Sequence, residues 1–345
     1  MPSVFLNSVA TATPTNDIHA LFVDWASAQI ETRQRPLFER MAARSGIERR
    51  WSVLPDPLAA DGFYATGMPG TAARMAIYAD AAPTLALAAI ERLGDDARGI
   101  THLVVASCTG FVAPGIDQII AARLGLDPGV ERILIGFMGC YAAVAAMRTA
   151  RHIVRSEADA RVLVVTVELS TLHLQETADV EPLLAMLQFG DGAAAAIVSA
   201  EPRGIEIGAP FAAALPASAE LIRWTITDRG FAMHLDGAVP RHIGDALSDP
   251  AMVERIAGGR DPAALVWAVH AGGRSILEAV ERALGLPGDA LDRSRAVLRR
   301  AGNMSSATLM FVLADLLAAR ETRDGVAIAF GPGLAAEGFA FGPVR

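Results

Sequence analysis

GFMGCYAAVAAMRTAR (136–151) sets a glycine and a cysteine between the end of one pattern and the start of another. The run before it, RILIGF (132–137), is rich in β-branched and large apolar residues and reads as a buried strand. The segment after it, AAVAAMRTARHIVR (142–155), repeats apolar residues at three- and four-residue spacing, the period of a helix. Cys140 therefore falls where a strand turns into a helix. The same alternation extends in both directions. LVVAS (103–107), RVLVVTVE (161–168), AAAAIVS (193–199), LVWAVH (265–270) and GVAIAFG (325–331) read as strands, and DQIIAARLGL (117–126), SILEAVERALGL (275–286) and SSATLMFVLADLLAAR (305–320) as helices. Short continuous apolar strands alternating with helices predict an α/β fold whose strands are buried on both faces.

Two parts of the chain share one rhythm. Leu103 to Cys140 spans 37 positions and Leu265 to Asn303 spans 38, each interval holding a strand, a loop and a helix with an LGL tripeptide. The next strand starts 22 positions after Cys140, at Val162, and 23 after Asn303, at Val326. This spacing reads as an internal duplication with halves at 1–200 and 201–345. Under that superposition Cys108 matches His270, both closing a strand, and Cys140 matches Asn303, both opening a helix.

Composition narrows the chemistry. With 345 residues, 52% hydrophobic and 20% charged, the chain can bury a large core and is far too apolar for disorder. No apolar stretch approaches the ~18 residues of a membrane span, and MPSVFLNSVATATP lacks the basic start of a secretory signal, so a cytoplasmic protein is expected. Two cysteines give no disulfide framework, and neither zinc-type Cys/His spacing nor an HExxH pair occurs, so no metal is expected. The net charge of -8 argues against a nucleic-acid surface. All 30 basic residues are arginines. Schiff-base, pyridoxal and Walker-type chemistries, which use a lysine amine, are thereby excluded.

Taken singly, the candidate site residues have ordinary readings: Cys140 as a small buried hydrophobe, His270 as a core histidine, Asn303 as a helix cap. Taken together, a thiol, an imidazole and a carboxamide lie at element ends that a pseudo-twofold would bring together. A thiol at a helix start is also favoured as thiolate by the free N–H groups there, and a nearby imidazole would favour it further.

GFMGCYAAV, VHAGGRSILEAVE (269–281), GNMSSATLMFVL (302–313) and AFGPGLAAE (329–337), in this order, resemble the thiolase superfamily and within it the bacterial type III, chalcone-synthase-like polyketide synthases. The resemblance runs nearly end to end. It implies a thiolase-like fold of two pseudo-symmetric halves in αβαβα layers, a homodimer, and acyl-CoA and malonyl-CoA as substrates with no permanently bound cofactor. It further implies Cys140 as the nucleophile that takes the starter acyl group, His270 as the residue that holds it as thiolate, and His270 with Asn303 as donors to the enolate left when malonyl-CoA loses CO2.

The same resemblance suggests substrate-contacting positions. Phe189 in QFGDGAAAA matches a phenylalanine between the coenzyme A tunnel and the cavity, and Met233 in RGFAMHL stands where a second phenylalanine is usual. Trp224 falls near a usual glycine, His173 near a cavity threonine and Ser305 near a cavity serine. Cys108 is expected to line the cavity, and Ala113 to stand where a methionine enters the partner's cavity. In PLFERMAARSG, Arg40 and Arg44 match coenzyme A contacts, with Leu37 in place of a further lysine. Gly331, Pro332 and Gly333 form a turn shaping the site wall. The glycines of GPGLAAEG do not make a dinucleotide loop, because only 12 residues follow Gly333. Ketoacyl synthase III is the nearest rival, but HAGG and GNMSS replace its HQAN-like and GNTS-like stretches. A non-catalytic subunit of the same fold is the other alternative.

Overall fold

The computed structural model describes residues 2–65 and 67–344. The six apolar runs read as strands join Phe5–Ala12, Ile205–Ala214 and Ala335–Pro343 in one nine-stranded sheet, in which RILIGF, expected to be buried, is instead a largely exposed edge strand. Its order is Val266–Val269, Gly325–Gly331, Ala335–Pro343, Ile205–Ala214, Phe5–Ala12, Asp191–Ser199, Val162–Leu169, His102–Ser107 and Glu131–Gly136. In one half, His102–Ser107 runs parallel to Val162–Leu169, which pairs antiparallel with Asp191–Ser199, itself antiparallel to Phe5–Ala12. In the other, Val266–Val269 runs parallel to Gly325–Gly331, followed by antiparallel Ala335–Pro343 and antiparallel Ile205–Ala214. The two series repeat the same order of directions and meet where Phe5 and Leu6 pair with Glu206 and Ile205.

Successive side chains of a strand point to opposite faces, and here each face meets a different core. Val104 and Ala106 enter a central cluster, while Leu103 and Val105 enter an outer one. Across the molecule Val266, Ala268, Ala327 and Ala329 join the same central cluster, while Trp267, Val269, Val326 and Ile328 turn to the other outer core. The central layer consists of the helices Ala142–Ser156 and Ser306–Ala318. The second is apolar on nearly every side, as a helix between two sheet faces must be. Each Leu or Phe buried there contributes about 1.5–3 kcal/mol. The helix Thr71–Glu91 covers one outer face, and Val239–Leu247 with Arg274–Ala283 covers the other. Five layers result, helix, sheet, helix, sheet, helix.

This layering places the site. Both central helices begin beside the ends of parallel strands. Cys140 sits in the tight turn Gly139–Tyr141 just before Ala142–Ser156, and Asn303 lies three residues before Ser306–Ala318. Cys108 and His270 directly follow His102–Ser107 and Val266–Val269. The GPGLAAEG stretch is a hairpin turn joining Gly325–Gly331 to Ala335–Pro343. A two-stranded hairpin, Ile222–Thr227 with Gly230–Leu235, carries Trp224 and Met233 as cross-strand partners.

Candidate active site

Cys140, His270 and Asn303 line one cavity of about 40 Å³, together with Cys108, Ser305 and Pro332. The turn carrying the thiol is forced into its shape. Phe137 and Gly139 both have left-handed backbone angles, φ 59° and 74°. A Cβ at Gly139 would lie 2.5 Å from Pro332 Cδ, so only glycine lets the 331–333 turn close over the nucleophile. A Cβ at Gly331 would lie 3.3 Å from the Cys140 nitrogen, and the Tyr141 hydroxyl donates to Pro332 O at 3.2 Å. From the other side, Gly139 N donates to Cys108 Sγ at 2.9 Å. Cys108 thus holds the turn as well as lining the cavity.

Asn303 is locked by its neighbours. Its nitrogen donates to Gln188 O at 2.8 Å and its carbonyl accepts from Gly190 N at 3.0 Å, a parallel bridge opposite Phe189. Its Oδ1 accepts from Ser305 N at 2.8 Å and its Nδ2 donates to Gly272 O at 3.2 Å. With Oδ1 engaged, Nδ2 is the atom available to other groups. Asn303 is therefore not the helix cap its sequence position suggested. Ser305 occupies that position, at φ 47° and ψ -126°, a strained geometry of the kind found at functional sites.

The electrostatics set a burial cost against the expected thiolate. Burial pushes the Cys140 thiol up to about 12, although hydrogen bonds from Ser305 and Asn303 favour the charged form and Glu168 opposes it. Burial alone brings His270 down to about 3, and neither of its ring nitrogens has a hydrogen-bond partner among the described residues. Taken singly, each group is pushed by burial toward its neutral form, because isolating one charge away from water is costly. Moving the thiol's proton to His270 would create two charges that cancel, so the pair can ionise together where burial opposes either alone.

Three further groups shape the surroundings. Glu168 was not singled out in the sequence, yet it is fully buried behind both thiols and accepts from Cys108 N at 2.9 Å, Thr109 Oγ1 at 3.0 Å and Ser306 Oγ at 2.5 Å. The available signal was a lone acid in the otherwise apolar strand VLVVTVEL. A cleft of about 700 Å³ lies outside the cavity, and Leu235, Gly272 and Ile276 line both. Its cations are Arg44, as expected, and Arg274, also missed. Arg40 is exposed on the helix Arg35–Ala43, which Arg44 caps, and does not line the cleft.

Behind the cavity is a second chamber of about 60 Å³. Ser170, Phe189, Trp224 and Met233 line both spaces and form the partition. Trp224 is pinned by Nε1 donating to Cys108 O at 2.9 Å. His173 lines the rear chamber rather than the cavity. Its ring stacks on Phe231 at 4.1 Å, with Nε2 donating to Thr109 O and Nδ1 accepting from Phe231 N. Ala113 is exposed and lines neither space, and of the 331–333 turn Pro332 reaches the cavity.

Comparison with known proteins agrees with this geometry. Residues 8–202 match the family model described as chalcone and stilbene synthases, N-terminal domain, and residues 206–344 match the corresponding C-terminal domain. The chain belongs to the chalcone and stilbene synthase family. Bisdemethoxycurcumin synthase of Oryza sativa subsp. japonica is 34% identical over 335 residues, covering 88% of this chain and 82% of that protein. Alpha-pyrone synthesis polyketide synthase-like Pks18 of Mycobacterium tuberculosis (strain ATCC 25618 / H37Rv) is 31% identical over 360 residues, covering 99% and 91%. Among solved structures, PKS-I from the brown alga Ectocarpus siliculosus superposes with a TM-score of 0.90 at 26% identity, covering 100% of this chain and 99% of that one. The C-terminal type III polyketide synthase domain of Steely1 from Dictyostelium also gives 0.90 at 26%, covering 99% and 100%. This chain is thus a type III polyketide synthase with a thiolase-like fold, a condensing acyltransferase. Among its described residues no helix is long and apolar enough to cross a membrane.

Proposed function

We propose that this type III polyketide synthase loads an acyl-CoA starter on Cys140, extends it with malonyl-CoA and releases a cyclised product. The observation that carries the reading is that Cys140, His270 and Asn303 line one cavity next to an arginine-bearing cleft. Coenzyme A lies in the cleft, its phosphates near Arg44 and Arg274. The Cys140 proton passes to His270, the thiolate attacks the starter carbonyl, and the departing coenzyme A sulfur takes that proton. Malonyl-CoA then loses CO2. The electrons of the broken C–C bond form an enolate, whose oxygen accepts from His270 and from Asn303 Nδ2, donors already in place where the charge develops. The enolate carbon attacks the acyl-Cys140 carbonyl, and Cys140 leaves as thiolate, ready for another cycle. No lysine and no bound cofactor are required.

The assembly we propose is a cytoplasmic homodimer of chains with halves 1–200 and 201–345. The strand Glu131–Gly136 pairs on one side only, at the end of the sheet, and exposes Ile133 and Leu134. An apolar unpaired edge of this kind is normally covered, and a second copy is the covering that symmetry supplies. Incubation with labelled malonyl-CoA and a panel of acyl-CoA starters, read by mass spectrometry, tests the function. Wild type is expected to give extended products and an acyl mass on Cys140. Cys140→Ala is expected to give no product, and extension by that variant at the wild-type rate would overturn the reading.

A further inference from the structure

Arg50 does not line the catalytic cavity, yet its guanidinium is wired to the segment that holds Asn303. It is 1% exposed, and Nη1 donates to Phe189 O at 2.7 Å and to Met186 O at 3.1 Å. Those carbonyls flank Gln188, whose own carbonyl accepts from Asn303 N at 2.8 Å, and Phe189 is the residue bridged to Asn303. The residue preceding Asn303 also rests on Arg50: a Cβ at Gly302 would lie 3.0 Å from Arg50 Cγ, 3.2 Å from its Cδ and 2.8 Å from Gln188 O. Gly302 has φ 67°, so this close approach depends on glycine.

The arginine is fixed in turn from its far side. Nε donates to His19 Nδ1 at 3.2 Å, its backbone N donates to Asp17 Oδ1, and its guanidinium carbon lies 4.6 Å over the Phe22 ring. The buried charge faces Asp17 and Asp191, whose carboxylates oppose the cost of burial. A planar fork that reaches two carbonyls and an imidazole at once is a geometry lysine cannot reproduce.

We infer that Arg50 is a positioning residue for the decarboxylation step, setting the Asn303 carboxamide through the 186–190 segment. This rests on the role proposed above for Asn303. A shift of the carboxamide by a fraction of an ångström would weaken its hold on the enolate oxygen while leaving the cleft intact. The effect should therefore fall on kcat and spare KM.

The test compares wild type, Arg50→Lys, Asn303→Ala and the double variant in starter-free decarboxylation of malonyl-CoA. Thermal unfolding and iodoacetamide alkylation of Cys140 are measured alongside. Arg50→Lys is expected to alkylate at the wild-type rate, with kcat lowered about ten- to a hundred-fold and KM within about three-fold. The double variant should be no slower than Asn303→Ala alone, since both changes remove one interaction. Wild-type kcat in Arg50→Lys, losses that multiply in the double variant, or joint loss of alkylation and thermal stability would each overturn the inference while leaving the site reading intact. Full decarboxylation by Asn303→Ala would instead remove the role of Asn303, and the inference with it.

Discussion

Glu168 shows how one side chain can tie the site to the stability of the whole chain. It is fully buried, and burial raises its carboxyl to about 7 from the 4.5 of an exposed glutamate, although Ser306, Cys108 and Thr109 all donate to it. Because the folded value is the higher one, the folded protein holds this proton more tightly than the unfolded chain. Its contribution is complete below about pH 4.5 and is lost as pH rises through about 7, a difference of the order of 3 kcal/mol. Asp191, raised to about 6 mainly by burial, acts with the same sign. Glu168→Gln is therefore expected to flatten, without abolishing, the fall in unfolding free energy between about pH 5 and pH 7. Denaturant titrations at both ends of that range check this, and an unchanged slope would mean the carboxyl is already ionised in the folded protein. At this scale the sequence was readable for polar residues next to recognisable turns, such as Cys140, His270 and Asn303. It was opaque for Glu168 and Arg50, whose importance comes from partners about 60 and 139 positions away along the chain.

The element that decides how much room a growing chain finds is the hairpin Ile222–Thr227 with Gly230–Leu235. It supplies two of the four partition residues, and the two differ in freedom. Trp224 is held by its bond to Cys108 O and by edge contacts with His173 and Phe231. Met233, with its unbranched thioether, can re-pack. At about 40 Å³ the cavity holds only a few heavy atoms until this wall gives. Trp224→Gly is accordingly expected to join the cavity to the rear chamber and lengthen the dominant product by one or more condensations, as read from product masses. An unchanged product distribution would show that the rear chamber does not communicate with the site. Six strands and four helices were legible from their apolar runs and periodicity, while Phe5–Ala12, Ile205–Ala214, Ala335–Pro343 and Thr71–Glu91 were not read. This hairpin was not, because RWTIT and GFAMHL mix polar and apolar residues in a ladder whose outer face is exposed.

At the scale of the molecule, the repeated order of strand directions explains why the 37- and 38-residue spacings carried information. Equal spacing from strand to helix start puts Cys140 and Asn303 at matching places in two similar units, and the shared central helix layer turns those places toward one cavity. What spacing could not convey is the closure between the units, which depends on Pro332 meeting Gly139 and on the partition wall. The unpaired edge strand gives the prediction proper to this scale. Wild type should sediment as a dimer, and Ile133→Glu combined with Leu134→Arg should sediment as a monomer. A monomeric wild type at micromolar concentration would contradict the assembly.

The central claim is that a thiol whose ionisation burial opposes becomes reactive by handing its proton to His270. Selective alkylation with iodoacetamide at pH 7, followed by peptide mass spectrometry, tests it most directly. Wild type is predicted to be labelled at Cys140 well before Cys108, and His270→Ala to be labelled there about a hundred-fold more slowly or less. Equal rates in the two proteins, or first labelling at Cys108, would contradict it.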